Sequence, residues 1–267
     1  MGRYAIATGQ PDKGRLDLLA EIMRPHTLRL LEAVGVQPGW RCLDAGCGAG
    51  PVTFELARRV GPKGRVTGLD LGEEILELAR LGAKEQDFDN LEFAAGDARS
   101  PAGGPYDLIH ARFLLSHLDD PAAAVAGLAG TLAPGGVLVV VDIDFTCNWC
   151  EPVHPALARA VEVYRETVRR RGGDAELGRR LPGLLLEAGL EGVQVDIAQT
   201  ALFEGEAKLL YALTMENMTE AIVGEGVAGA SELAELVAEL KGIAEDPRQL
   251  LALPYCVQTW GYAPGSG

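Results

Sequence analysis

Residues 41–50, Arg-Cys-Leu-Asp-Ala-Gly-Cys-Gly-Ala-Gly, run a short apolar stretch straight into three glycines spaced two apart. Few segments constrain a fold more. Glycines at 46 and 48 let the backbone turn tightly and approach a ligand with no Cβ between them. The helix expected over Val52 to Val60 would present free N–H groups at its start. The spacing is G-x-G-x-G with an acid, Asp44, two residues before the first glycine, and not the G-x-G-x-x-G of dinucleotide-binding turns. A carboxylate there makes a poor neighbour for a pyrophosphate and a good one for a cationic ligand.

The surrounding pattern alternates strand with helix. Strands are expected at Arg41–Ala45, Arg65–Asp70, Leu91–Ala95, Tyr106–Ala111 and Val137–Val141, with helices over Glu73–Lys84 and Asp120–Leu132. Val137–Val141 is apolar on both faces, as a central strand covered by helices should be. Such alternation implies βαβ units and a doubly wound, mostly parallel sheet. Ahead of it, Leu16, Leu19, Ile22 and Met23 fall at helical spacing, and Pro25 is expected to end or kink that helix before a second one to Val34. After it come helices at Pro155–Arg171, Ala175–Ala188, Lys208–Ile222 and Ser231–Ala244, with strands at Val193–Ile197 and Cys256–Tyr262.

The 267 residues fit one large α/β domain with an insertion, divided as 1–35 (helical cover), 36–205 with 248–267 (core) and 206–247 (helical insertion). Two readings of 206–247 stand: a solvated helical pair over the sheet edge, or a lid over a ligand site beyond the strand ends. With 24 Lys plus Arg against 38 Asp plus Glu, the formal charge is −14. That surface repels phosphate backbones, so nucleic acid is not expected as a partner. No apolar run reaches the roughly 18 to 20 residues of a membrane span, and no signal core opens the chain. A cytoplasmic protein, with a homodimer as a candidate assembly, is the expectation. Cys42, Cys47, Cys147, Cys150 and Cys256 read as reduced thiols. Cys147 and Cys150 lack the further ligands a metal site needs, so no metal is expected.

Two more acids mark strand ends. Asp70 stands where a carboxylate can accept hydrogen bonds from both hydroxyls of a ribose. Asp97, in Gly96-Asp97-Ala98, could reach an adenine amino group. Each alone reads more often as a helix cap; with Asp44 they make three acids in register at successive strand ends, a stronger signal than any one of them.

The run from Trp40 to Asp144 resembles the class I S-adenosylmethionine-dependent methyltransferases. LDAGCGAG looks like their first motif, VTGLD their second and AAGDA their third; YDLIHARFLLSHLDDP and LAPGGVLVVVD resemble the fourth and fifth strand segments. Later, GRRLPGLLLEAGLEGVQV and VQTWGYAP are similar to the family's last helix and its sixth and seventh strands. The resemblance implies a Rossmann-like seven-stranded sheet and S-adenosylmethionine as cofactor. It places Gly46 and Gly48 along the methionine moiety, Asp44 near its ammonium, Asp70 on the ribose, Leu71 on the adenine face, and Gly96, Asp97 and Ala98 around the adenine. Ala111 and Arg112 would face the sulfonium end, with Arg112 a candidate for the carboxylate.

The sulfonium already activates the methyl group, so such an enzyme needs in-line placement of a nucleophile and somewhere for a proton to go. Candidate bases are His117, His110, Asp142, Asp144 and His154, with His117 and Asp144 foremost. His117 reads more readily as a satisfied core histidine than as a catalytic base. Tyr4 and Gln10 would fold over the cofactor or belong to a free arm. The expected activity is methyl transfer to a small molecule, foremost a hydroxyl of a secondary metabolite. N- or C-methylation, or a cofactor-binding cyclase or decarboxylase, is the alternative.

Overall fold

The computed structural model describes residues 13–265; Tyr4 and Gln10 lie outside them. In chain order the elements are α1 (Lys13–Val34), β1 (Arg41–Ala45), α2 (Pro51–Val60), β2 (Arg65–Asp70), α3 (Glu73–Glu85), β3 (Leu91–Ala95), β4 (Tyr106–Arg112), α4 (Pro121–Ala129), β5 (Leu132–Asp144), β6 (Trp149–Glu151), α5 (Pro155–Arg170), α6 (Leu181–Glu187), β7 (Glu191–Ala198), β8 (Ala201–Leu202), α7 (Leu210–Asn217), α8 (Thr219–Gly224), α9 (Ala230–Glu245), β9 (Leu250–Ala252) and β10 (Tyr255–Tyr262). The main sheet has seven strands in the order β3-β2-β1-β4-β5-β10-β7. All neighbours pair in parallel except β10, which runs antiparallel to both β5 and β7. The doubly wound, mostly parallel sheet expected from the alternation is therefore present.

Both faces of its central strands are buried. Leu43, Ala45, Ile109, Ala111, Leu138 and Val140 point to the side of α4 and α6. Cys42, Leu108, Val137, Val139 and Val141 point to the side of α1 and α2. Opposite faces from alternate residues is the period of a pleated strand.

Some expected boundaries move. Pro25 does not divide the first helix: α1 runs unbroken from 13 to 34 with Pro25 inside it. Pro25 is exposed while Met23, Leu30 and Leu31 are buried, so the missing N–H falls on the solvent side and packing holds the rest in register. The helix expected to reach Leu132 stops at Ala129, and Pro134-Gly135-Gly136 lies within the 13-residue strand β5, where the pairing with β4 shifts register. The helix expected over Ala175–Ala188 starts as a 3-10 turn at Leu177–Arg180 before α6.

Sequence periodicity missed a second, three-stranded sheet in the order β6-β9-β8. Strands of two and three residues show no alternation to read. This sheet carries one wall of a separate apolar core. Leu157 and Tyr164 of α5, Met215 of α7, Ile222 of α8, and Leu233, Leu236 and Leu240 of α9 pack there with Cys150, Leu202 and Leu251. Helices of the 206–247 segment therefore share their core with residues 149–168. Leu18, Leu19 and Ile22 of α1 pack against the same core, while Met23 to Val34 lie on the main sheet. So α1 ties the helical layer to the sheet.

Candidate active site

Parallel pairing lines up the carboxyl ends of β1, β2, β3 and β4: Ala45 lies beside Leu69 and Ala111, and Asp70 beside Ala95. Asp70 ends β2 and Asp97 follows β3, while Asp44 lies one residue inside the end of β1 and Asp142 and Asp144 lie at the end of β5.

The turn after β1 has Gly46 at φ 70° and Gly48 at φ 54°, conformations that L side chains rarely adopt. A Cβ at Gly46 would sit 3.1 Å from Leu114 Cδ1, whereas a Cβ at Gly48 would meet nothing within 4 Å. Gly46 is thus required by packing, and Gly48 opens onto free space. Asp70 spans this turn and the next. Its Oδ2 accepts a hydrogen bond from the Gly48 amide at 3.0 Å, and its Oδ1 accepts one from the Gly72 amide at 3.0 Å. Leu71 beside it is 64% exposed, a large apolar side chain presented to solvent at the mouth of the site. Across the mouth, Gly96 approaches Leu69, Ala98 is buried, and Asp97 is gripped by Arg99 through both its backbone amide and its guanidinium. Arg99's hydrogen bonds hold the Asp97 carboxyl below its usual range.

Asp44 is placed differently from its neighbours. It is 2% exposed and turned into the sheet layer, where it accepts hydrogen bonds from Thr53 Oγ1 at 2.6 Å and His110 Nδ1 at 2.9 Å. In this structure it is a strut between β1, β4 and the first turn of α2. Ala111 is fully buried on the opposite face. Arg112 donates to Thr27 Oγ1 of α1 at 3.0 Å and stacks over Phe113, 5.7 Å from its centroid. Burial pulls the Arg112 guanidinium below its usual range, against an opposing pull from Asp44. Its visible partner is the cover helix.

The candidate bases divide sharply. Asp144 accepts two hydrogen bonds from Arg179, at 2.9 and 3.0 Å, and two from Thr146. Burial alone would raise its carboxyl, but Arg179 and Thr146 outweigh burial and hold it below the usual range. That arrangement ties β5 to the turn before α6 and engages the carboxylate of this candidate base. His154 caps α5, its Nδ1 accepting from the Ala156 amide. His110 is engaged with Asp44. Asp142 is fully buried, and it accepts from the Ser116 and Ile143 amides; burial pushes it up to about 6. His117 is buried, and burial together with the nearby Arg15 charge lowers it to about 4.

Three features had no signal in the sequence. Phe113 follows β4 at φ 54°, a left-handed conformation that costs a non-glycine residue about 1 kcal/mol or more and collects at functional sites. Arg15, at the start of α1, is only 8% exposed. Between α1 and α7 lies a cavity of about 500 Å3 lined by Arg15, Leu18, Leu209, Leu213, Glu216 and Asn217, among others. Arg15 is also the charge that adds to burial in lowering His117. None of these follows from periodicity, because each depends on the tertiary packing.

A family profile described as "Methyltransferase domain" matches residues 37–177. An uncharacterized protein in a transposon of Streptomyces fradiae is 30% identical over 229 residues, 84% of this chain and 65% of that protein. The nocamycin O-methyltransferase of Saccharothrix syringae is 36% identical over 118 residues, 43% of this chain and 42% of its own. The demethylmenaquinone methyltransferase of Lactococcus lactis is 31% identical over 142 residues, 52% and 54% of the two chains. The chain thus spans between about two fifths and two thirds of these relatives' lengths. Among solved structures, the [4+2]-cyclase SpnF superposes with TM-score 0.56 over 91% of this chain and 82% of its own at 20% identity, a likeness of fold. Profile, sheet order and the glycine turn with its strand-end acids agree: the chain belongs to the class I S-adenosylmethionine-dependent methyltransferase family.

Proposed function

We propose that this chain moves a methyl group from S-adenosylmethionine to a hydroxyl of a small-molecule acceptor. The observation that carries the reading is the cradle at the strand ends: an open Gly48, the Asp70 carboxylate on its amide, and the exposed Leu71. These residues fit the family's cofactor. Asp70 has lone pairs left for two ribose hydroxyls, and its oxygens are already fixed in place by Gly48 and Gly72. Leu71 offers an apolar surface for a flat base, and Gly48 lets the backbone approach the amino-acid moiety. Gly96, Asp97 and Ala98 would border the base.

The bound cofactor supplies a methyl group already activated as a sulfonium. The chain's own work is to position the acceptor, exclude water and manage a proton. The cavity between α1 and α7 has the size of a small-molecule site, and the nocamycin O-methyltransferase relative favours an oxygen acceptor. His117 is neutral at neutral pH, since its buried imidazole protonates only near pH 4. It can accept a hydrogen bond from an acceptor and orient it. The second reading, transfer to nitrogen or carbon, is favoured by the demethylmenaquinone methyltransferase relative. The formal charge of −14 supports a small acceptor over nucleic acid. Among the described residues no helix is long and apolar enough to cross a membrane.

Calorimetric titration with S-adenosylhomocysteine, with NAD+ in parallel, tests the cofactor site. Micromolar binding of the first alone supports the reading; binding of neither, or of NAD+ alone, overturns it. Transfer of labelled methyl to a panel of phenols, amines and quinones then separates the acceptor classes.

A further inference from the structure

The main sheet ends on β7, and its outer edge is bare: among the described residues β7 pairs with β10 alone. An edge strand presents a row of unpaired N–H and C=O groups, which soluble proteins ordinarily blunt with a proline, a lysine or a covering segment. Glu191–Ala198, Glu-Gly-Val-Gln-Val-Asp-Ile-Ala, holds neither proline nor lysine, and from Glu191 to Ile197 every residue but Val193 is exposed. Its two faces differ. Val195 and Ile197 stand opposite Thr259 and Val257 of β10, on the α6 side of the sheet with Val193. Val193 is packed against the core there, whereas Val195 is 49% and Ile197 53% exposed. Leu186 of α6 is a third large apolar side chain left in solvent. Gln194 and Asp196 alternate to the α1 side, where the charge of Asp196 reaches His26 of α1.

Outward from Val195 the strand is its own antiparallel complement. A two-fold axis at that residue sets Val195 against its own copy and Val193 against Ile197 of the second chain, all on the α6 side. On the α1 side Gln194 meets Asp196, so that an amide donates to a carboxylate, and Gly192 meets Ala198. Apolar and hydrogen-bonded pairs directly opposite each other stabilise a ladder, and like charges there destabilise it. The other registers fail on that ground. An axis at Asp196 opposes two carboxylates, axes at Gln194 or Val193 put Ile197 or Val195 against Glu191, and an axis at Ile197 puts Val195 against Gln199. A one-residue slip sets Val195 against Gln194. We propose that β7 is the dimerisation surface of this chain, with two copies pairing antiparallel through Glu191–Ala198 about an axis at Val195 and joining their sheets into one. Such an interface is isologous, so it closes at two copies. Eight residues span only about 26 Å, and each chain carries a formal charge of −14, which places the dissociation constant on the order of micromolar, at the weak end of specific interfaces. The proposal is independent of the reaction proposed above.

Sedimentation velocity of the full chain from about 1 to 100 µM, a range that brackets a micromolar constant, is expected to show monomer passing into dimer and nothing larger. Val195→Lys sets two ammonium groups against each other and should raise the dissociation constant about tenfold or more. Its melting temperature should hold, since half of that side chain already meets solvent. Val195→Cys should give a disulfide-linked dimer under mild oxidation, because the Cβ atoms of directly opposite residues lie about 4.5 to 5.5 Å apart, close to disulfide geometry. Ile197→Cys, four residues out of register with its own copy, should not. The wild type, whose cysteines all lie outside β7, sets the background. The cross-linking pair keeps the test standing if the lysine variant fails to fold. A monomer at every concentration, a dimer untouched by Val195→Lys, a dimer that Val195→Cys does not link, equal linkage through Ile197→Cys, or growth beyond two copies overturns the proposal.

Discussion

Asp44 and His110 stand 66 positions apart in sequence and meet across adjacent parallel strands, with His110 Nδ1 donating to Asp44 Oδ1 at 2.9 Å and both side chains shut off from solvent. Thr53 Oγ1 holds the other carboxylate oxygen, so one acid fixes β1 to β4 and to the helix that follows the glycine turn. His110→Phe leaves half of that carboxylate unsatisfied in the interior. It should destabilise the fold by about 1 to 3 kcal/mol in urea titration. Unchanged stability would show that the strut carries no weight.

Asp70 joins the two turns that flank the cofactor cradle. Asp70→Ala should weaken S-adenosylhomocysteine binding by about 1 to 3 kcal/mol by calorimetry, with ribose hydroxyls and the Gly48 amide losing their acceptor. Full affinity in the variant would remove Asp70 from the cofactor site.

Asp142 and His117 bias stability against pH in opposite senses. The Asp142 carboxyl, raised from 3.8 to about 6, holds a proton in the folded state that the unfolded chain has released, so its contribution falls as pH rises from about 4 to 6. His117, lowered from 6.5 to about 4, is neutral when folded and protonated when unfolded, so its contribution rises across nearly the same window. The two slopes offset in the wild type. Asp142→Asn should unmask a rise in stability with pH of about 1.4 kcal/mol per pH unit relative to wild type, and His117→Asn a fall of similar size. Parallel pH profiles for all three proteins, measured by denaturant unfolding, would contradict both assignments.

His117→Asn also separates orientation from packing. With S-adenosylmethionine and an accepted phenol, lower turnover with unchanged S-adenosylhomocysteine affinity is expected. A lower melting temperature with full turnover would assign His117 to the core.

Asp144 belongs to Arg179 and Thr146. Its depressed carboxyl contributes stability above its unfolded value of 3.8 that is lost as pH falls below it. Asp144→Asn should therefore lower the melting temperature at neutral pH, more than it does under acid, and spare methyl transfer. A large fall in turnover at an unchanged melting temperature would restore it as a base.

What the chain's sequence determined by itself is what local physics controls. Val137–Val141 reads as a covered strand because both its faces are apolar, and Gly46 and Gly48 read as a tight turn because only glycine adopts positive φ without strain. Asp70 and Asp97 read as strand-end acids from spacing alone. Tertiary structure decided the rest, because it depends on partners distant in sequence. Asp44 became a strut only when β4 set His110 beside it. Asp144 was drawn to Arg179 by the turn before α6. Pro25 stayed inside a helix because Met23 and Leu31 anchor that helix to the sheet. The cavity lined by Arg15 and Asn217 exists only where α1 meets α7, about 200 residues apart along the chain, a separation no periodicity spans.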